Sequence, residues 1–444
     1  MNYQQAWDFL DQLQFFKIKL GLDAMNQLLD RLDNPHRNLN CIHIGGTNGK
    51  GSVGATLCSI LTASGYKTGF YTSPHLSSVR ERFKIGETYI SKKDFARLIS
   101  KIHTVLDSGQ ITYFECTTTL AMLWFAEQEV DLTILEVGMG GRLDATNVIT
   151  PLLSIITNVS MDHEQYLGNT LAQVATEKAG IIKKNIPVVS GTPNDDSCRI
   201  IRQAAQAQQA PLYLFGRDFS GMPDKTKSSR WQYHGIGEQN EQVFDNLPMS
   251  LKGHYQIGNG CMALAAVQLL GERGYTITEQ HIRTGLAQTR WPGRLESFRL
   301  NNEGRQVEAD TEGLHFLLDG AHNPAGVTAL QQALDKNFPR NKLILLWGAM
   351  KDKDLRTTLR EIAPLADILI FTKPQSERSA RTSQLKGALS STMHQKVICI
   401  DSVQAAINKA RALASGSDLI CIAGSLYLVG AARQLLLGEL VSDE

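Results

Sequence analysis

The chain has 444 residues, 45 Lys and Arg against 44 Asp and Glu, and 42% hydrophobic residues. A net charge of +1 argues against a dedicated nucleic-acid binder, and the apolar content argues against a disordered chain. The length suits two or three domains, each able to bury its own core.

The seven cysteines are odd in number, show no C-x-x-C spacing, and mostly sit in apolar runs such as Leu419-Ile420-Cys421-Ile422. They read as small buried hydrophobes, not as a zinc site or disulfide framework. Met1-Asn2-Tyr3-Gln4-Gln5 lacks the basic and apolar regions of a secretory signal. No apolar run approaches the roughly 20 residues of a membrane helix. A soluble cytoplasmic monomer, with no nucleic-acid or membrane partner, is expected.

Along the chain, short runs rich in Ile, Val and Leu predict buried parallel strands at Cys41–Ile44, Thr68–Thr72, Leu132–Val137, Leu152–Thr157 and Pro187–Ser190. Helical patterns lie between them, including Ser52–Ser64, Lys92–Leu106 and Thr117–Gln128. Strand–helix alternation with right-handed crossovers predicts a doubly wound α/β sheet. Gly216–Asn246, rich in Gly, Ser, Asn and Gln, predicts an irregular excursion bearing a hairpin. Helical patterns return at Ile257–Arg273 and Thr278–Thr289. Trp291-Pro292-Gly293-Arg294 stops the last helix. A second βα series follows: Phe316–Asp319, Leu343–Trp347, Ile368–Thr372, Val397–Ile400 and Leu419–Ala423. The expected fold is α/β, with a P-loop-type doubly wound domain over 1–290 and a smaller Rossmann-like α/β domain over 291–444.

The sharpest local signal is Gly45-Gly46-Thr47-Asn48-Gly49-Lys50-Gly51-Ser52, between an apolar strand and a helix. Glycines let successive backbone N–H groups turn toward one anion. The helix N-terminus adds partial positive charge and Lys50 a full one, which is what a triphosphate needs. The strict G-x-x-x-x-G-K-[ST] pattern is missed, because Ile44 stands at its first glycine and Gly51 separates Lys50 from Ser52. A glycine-rich turn with a solvated lysine is the bland alternative.

Thr72-Ser73-Pro74-His75-Leu76 follows the second strand, where ligand crevices of open α/β sheets lie. Ser73 could offer a hydroxyl to a metal ion, or merely cap a turn. Glu136 ends the apolar strand Leu132-Thr133-Ile134-Leu135. A carboxylate there needs a cation; Mg²⁺ with nucleotide phosphates is one partner, and an ion pair with Arg142 is the alternative. Met161-Asp162-His163 and Glu177-Lys178-Ala179-Gly180 gain meaning only from the set.

Together these stretches resemble the Mur ligase superfamily, and within it the folylpolyglutamate synthase/dihydrofolate synthase family. The carriers are GTNGKGS (Gly46–Ser52), TSPHL (Thr72–Leu76), RERF (Arg80–Phe83), YFE (Tyr113–Glu115), LEVGMGGRLDATN (Leu135–Asn147), MDH (Met161–His163), LGNTLAQVATEKAGIIK (Leu167–Lys183), WPGRLE (Trp291–Glu296), LDGAHNP (Leu318–Pro324) and GSLYLVG (Gly424–Gly430). The resemblance implies an ATP-dependent amide ligase. Dihydropteroate or a folate would be activated as an acyl phosphate, and L-glutamate would displace the phosphate. It assigns Asn48, Gly49, Lys50, Gly51 and Ser52 to the ATP phosphates, Asn259 to the adenine side, and Arg294 and Asp319 to phosphate and ribose. Ser73, Glu136 and His163 match magnesium ligands, and Lys178 matches a lysine that is carbamylated in relatives. His322 and Ser425 match positions near the incoming glutamate. Leu20, Gly21, Phe114, Glu115, Leu143, Asp144 and Ala145 match the pterin site, with a helix N-terminal acid as the alternative for Glu115. Lys50, Lys178 and His322 are the catalytic candidates.

The chain departs from the family pattern at Gly260, where Ala usually follows Asn259, at Phe83 in place of Ile, and over Thr372–Ala380. Two rivals stand beside this reading. A Mur-type ligase acting on a UDP-muramoyl acceptor would need a nucleotide-sugar domain before Gly46, where only about 45 residues precede. A nucleotide-binding switch without ligase chemistry would not need Lys50, Ser73, Glu136, His163 and Lys178 together.

Overall fold

The computed structural model describes all residues except 14–20, 108, 194–195, 225–228, 238–242, 309–310, 391–392, 394–396, 439–440 and 442–444. The apolar runs of the first half form strands β1 (Cys41–Gly45), β2 (Thr68–Tyr71), β3 (Phe83–Ile85), β4 (Thr88–Tyr89), β5 (Leu132–Glu136), β6 (Leu153–Ile156), β7 (Val188–Ser190) and β8 (Leu212–Leu214). They pair in the order β4-β3-β2-β5-β1-β6-β7-β8. From β2 to β8 every pairing is parallel. Alternate residues of each strand serve opposite faces, as a period of two demands. Cys41 and Leu135 join the core beneath helices Lys92–Leu106 and Tyr113–Glu127, while Ile42, Ile44 and Ile134 join the core beneath Lys50–Ala63 and Gln256–Glu272. The doubly wound sheet expected from the sequence is therefore present.

Its edge differs from expectation. β3 and β4 form an antiparallel hairpin turned at Gly86 (φ +56°), a short alternation that the search for apolar runs overlooks. Helix Tyr113–Glu127 starts four residues before the pattern suggested. Thr112 caps it and Glu115 completes a capping box, so the threonines Thr117–Thr119 lie buried inside the helix. Local capping decided the boundary, not periodicity.

The excursion becomes a three-stranded antiparallel sheet of β9 (Ser220–Pro223), β10 (Arg230–His234) and β11 (Val243–Pro248). Its isolated aromatics explain its stability. Phe219, Trp231, Tyr233 and Phe244 are buried with Cys261, Leu264 and Ala265 of helix Gln256–Glu272. The Trp231 indole donates to Pro248 O (3.1 Å), and the Tyr233 hydroxyl to Gln268 Oε1 (2.6 Å).

The rest of the chain builds β12 (Glu296–Leu300), β13 (Gln306–Val307), β14 (Leu314–Leu318), β15 (Leu343–Trp347), β16 (Ile368–Phe371), β17 (Val397–Cys399) and β18 (Leu419–Ala423). The order is β13-β12-β14-β18-β15-β16-β17. β14 to β17 are parallel, and β12 and β13 add antiparallel strands at one edge that sequence inspection had not separated from a loop.

Register places the site. At the carboxyl ends of the first sheet, Ile44 of β1 stands opposite Glu136 of β5, and Gly45 opposite Ile156 of β6. At the corresponding ends of the second sheet, Leu318 of β14 stands opposite Ile422 of β18. The segments leaving these strand ends meet across a crevice, the position where open α/β sheets bind ligands.

Candidate active site

The loop after β1 turns into helix Lys50–Ala63 at Gly49, which has φ +88° and offers no side-chain cap to the helix. The first N–H groups of that helix are thus left for an external acceptor. A Cβ on Gly49 would come within 2.6 Å of Asn259 Oδ1, and one on Gly51 within 2.5 Å of the Trp291 ring. Only glycine admits both neighbours. The loop is fixed from behind: Asn48 N donates to Asn158 Oδ1 (2.9 Å), Thr157 Oγ1 to Asn48 O (2.7 Å) and Thr47 Oγ1 to Ser160 O (3.0 Å). Lys50 folds back over it, donating to Gly46 O (3.2 Å) and Thr47 O (3.3 Å).

Lys50 Nζ also lies 3.9 Å from Glu136 Oε1. Glu136 is buried, and its Oε2 accepts from the Thr72 hydroxyl and from Ser73 N (3.3 Å). Burial raises its pKa, opposed first by Lys50 and then by these hydrogen bonds. Arg142 does not pair with it; Arg142 holds Glu177 at 2.7 Å. Among the described residues, no three His, Cys, Asp or Glu side chains form a cation cluster. The candidate metal set takes only two from those classes, adding the Ser73 hydroxyl and Lys178. His163 has φ +53°, and its imidazole stays neutral down to about pH 4, chiefly through desolvation, although Asp162 opposes this. Lys178 is 3% exposed, and no carboxylate pairs with it among the described residues. Desolvation, helped by Lys50, lowers its pKa to about 7.

Asn259 is buried and donates to Gln256 Oε1 (2.8 Å); Gln256 Nε2 reaches Ser52 Oγ (3.4 Å). This chain ties helix Gln256–Glu272 to the phosphate-loop helix. On the opposite wall, Asp319 accepts from Leu295 N and Ala321 N, both at 2.9 Å. Burial raises its pKa, and Arg294 is the strongest opposing influence. Arg294 lies against Gly320, where a Cβ would fall 1.9 Å from its Nη1. Arg294 also acts electrostatically on Glu136 across the crevice. The Ser425 hydroxyl caps helix Leu426–Leu437 and donates to Gly348 O (2.8 Å), so its structural duty is already complete.

Sequence reasoning missed the network that joins the two walls. Lys353 donates to Asp162 Oδ1 at 2.6 Å, and Asn323 Nδ2 bridges Asp162 Oδ2 (3.2 Å) and Asn48 Oδ1 (3.1 Å). His322 Nε2 stands 3.7 Å from the same Asp162 oxygen, and its Nδ1 meets Gly320 O at 2.8 Å. These contacts hold the Asp162 carboxyl far below the usual range despite its burial, with His322, His163 and Lys353 opposing the desolvation. Asp162 and Asn323 lay inside quoted motifs without a role. Lys353, in Lys351-Asp352-Lys353-Asp354, reads as a solvated charge run.

The pterin candidates divide. Phe114 packs against the core holding Ala145, and its ring closes on Gly138, where a Cβ would be 2.5 Å away. Its ring lies 6.0 Å from that of Tyr71. Asp144 is engaged inside its own loop. Gly138 N and Met139 N donate to Oδ2 (both 3.0 Å), while Thr146 N (3.0 Å) and Oγ1 (2.5 Å) donate to Oδ1. Glu115 Oε2 accepts from Thr112 N (2.7 Å), the capping duty given as its alternative. Leu143 is half-buried beside this loop. A Cβ on Gly21 would meet no atom within 4 Å, and Leu20 lies outside the described residues.

With this geometry in view, two family matches bracket the site. The Mur ligase middle domain matches residues 44–267, and the Mur ligase glutamate ligase domain matches residues 304–426. The chain is 31% identical to the dihydrofolate synthase/folylpolyglutamate synthase of Bacillus subtilis, covering 98% of this chain and 99% of that one. It is 34% identical to the folylpolyglutamate synthase of Lacticaseibacillus casei, covering 93% of each. Among solved structures, Mycobacterium tuberculosis folylpolyglutamate synthase complexed with ADP superposes with a TM-score of 0.88 at 30% identity, covering 98% of both chains. E. coli FolC in complex with DHPP and ADP gives 0.86 at 27% identity, covering 98% of this chain and 97% of that one. The chain belongs to the dihydrofolate synthase/folylpolyglutamate synthase family of Mur ligases.

Proposed function

We propose that this protein is an ATP-dependent ligase joining L-glutamate to dihydropteroate, to reduced folates, or to both, through an acyl phosphate. The observation that carries the reading is the meeting, in one crevice, of an uncapped helix N-terminus with Lys50 and Glu136 on one wall and Arg294, Asp319 and His322 on the other. ATP phosphates would lie on the backbone donors of Asn48–Ser52, with Lys50 and Arg294 balancing their charge. Asn259 would border the adenine and Asp319 the ribose. The acceptor carboxylate would attack the γ-phosphorus and release ADP. The glutamate amine, held near His322 and Ser425, would then attack the acyl carbon, and phosphate would leave. Binding the reactants between two walls supplies orientation and excludes water from the acyl phosphate.

The donor set suits magnesium. Glu136 is a buried carboxylate that needs positive charge beyond Lys50, and Ser73 and a neutral His163 add ligating atoms. A neutral Lys178 could gain CO₂ and become an oxygen ligand for a second ion. Bound there, magnesium would screen the repulsion between carboxylate and triphosphate. Phe114, with Leu143 and Ala145, would form the pterin wall, and Gly21, Glu115 and Asp144 would border it. Asp144 would act mainly by holding that loop in shape.

A division at residues 290 and 291 into an ATP-binding and a glutamate-binding domain belongs to the same reading, as do action as a monomer and a cytoplasmic location. Among the described residues no helix is long and apolar enough to cross a membrane. Glutamate-dependent ADP release in the presence of a pterin acceptor tests the reading.

A further inference from the structure

Arg82, in the Arg80-Glu81-Arg82-Phe83 stretch, has no part in the chemistry above. It is 7% exposed, yet no carboxylate pairs with it among the described residues. Its Nε donates to His75 Nδ1 at 2.9 Å, using one of five guanidinium donors. Among the described residues no hydrogen bond is made by its Nη groups. The guanidinium lies 5.1 Å from the Tyr113 ring centre, and the Tyr113 hydroxyl is buried with no hydrogen-bond partner among the described residues. A largely buried cation with no ion-pair partner among the described residues, set against a tyrosine ring, is costly unless an anion arrives.

The location says which anion. Thr72 N donates to Arg82 O at 3.1 Å, and Thr72 and Ser73 hold Glu136. On its other side Arg82 rests on Tyr113, next to Phe114 of the pterin wall. The Arg82 backbone thus adjoins the strand end that carries Thr72 and Ser73, while its guanidinium lies against Tyr113, next in sequence to Phe114. The terminal glutamate of a folate has two carboxylates, one activated and one spectator, whereas dihydropteroate has only the reacting one.

We propose that Arg82, assisted by the Tyr113 hydroxyl, binds the spectator α-carboxylate of a glutamylated acceptor and selects such acceptors over dihydropteroate. This rests on the folate-ligase reading.

The test is calorimetric binding, in the presence of MgADP, of three probes: dihydropteroate, dihydrofolate, and dihydrofolate with its α-carboxylate converted to a carboxamide. Wild-type protein should bind dihydrofolate about 10–100-fold more tightly than the carboxamide, the scale of one charge-assisted pair. Arg82→Gln should abolish that difference while binding dihydropteroate and ADP as wild type does, and Arg82→Lys should restore part of it. Tyr113→Phe should weaken dihydrofolate alone, by several-fold, which covers the case of an Arg82 variant that fails to fold. Equal weakening of dihydropteroate by Arg82→Gln would overturn the proposal, as would a wild-type protein that does not distinguish acid from amide. Failure of wild-type protein to bind any of the three would instead overturn the folate-ligase reading itself.

Discussion

At the scale of single residues, the half-buried Arg294 and the buried Lys178 give the sharpest tests of the proposed chemistry. Among the described residues Arg294 has no carboxylate within ion-pair distance, yet it opposes the effect of burial on both Glu136 and Asp319. Arg294→Ala should fold normally, by circular dichroism and melting, and lower turnover about 10²–10³-fold, the scale of losing one transition-state charge partner. Wild-type turnover would remove Arg294 from the site. Lys178 poses a protonation question. An amine must be neutral to attack CO₂, and its pKa of about 7 leaves it mostly neutral at pH 8 and mostly protonated at pH 6, whereas an ordinary lysine at 10.5 is protonated at both. Native mass spectrometry in bicarbonate should therefore show a species heavier by one CO₂ at pH 8 that disappears below pH 6 and is absent in Lys178→Arg. An unmodified mass throughout would leave Lys178 as a buried amine.

At the scale of elements, the parallel strands were legible because they are buried on both faces and so read as continuous apolar runs. Cys41–Gly45, Leu343–Trp347 and Leu419–Ala423 emerged within a residue of expectation. The turn from β1 into helix Lys50–Ala63 was legible too, since a glycine-rich stretch between an apolar strand and a helical pattern marks such a turn. What stayed hidden depends on partners distant in sequence. The β12–β13 edge alternates apolar and polar residues, and the aromatics of β9–β11 look isolated until helix Gln256–Glu272 covers them. That sheet supports the helix carrying Asn259. Trp231, fully buried and hydrogen-bonded to Pro248 O, should cost about 3–5 kcal/mol of stability on replacement by Ala. Denaturant unfolding checks this, and a loss within about 0.5 kcal/mol would mean the sheet is an ornament on the helix.

For the molecule as a whole, the proposed function rests on the meeting of two sheets' strand ends, and no stretch of sequence announces such a meeting. Asp162, Asn323, Lys353 and Asn48 are spread over some three hundred residues, yet they form one network linking the phosphate loop to the second sheet. Asn323 touches the loop residue Asn48 directly, so the position of the second sheet is coupled to the glycine-rich loop after β1. Loops at such junctions often move as ligands bind. The family resemblance supplied the candidate residues, but the joint between the walls came only from geometry.

ADP release is the most direct test of ligase function. Purified protein would be supplied with MgATP and L-glutamate, in parallel with dihydropteroate and with a reduced folate monoglutamate. ADP should appear only when glutamate and at least one acceptor are present, with the acceptor gaining a glutamyl unit. Release with both would make the enzyme bifunctional, and release with the folate alone would restrict it to tail extension. ATP binding with no glutamate-dependent ADP release from either acceptor would contradict the account.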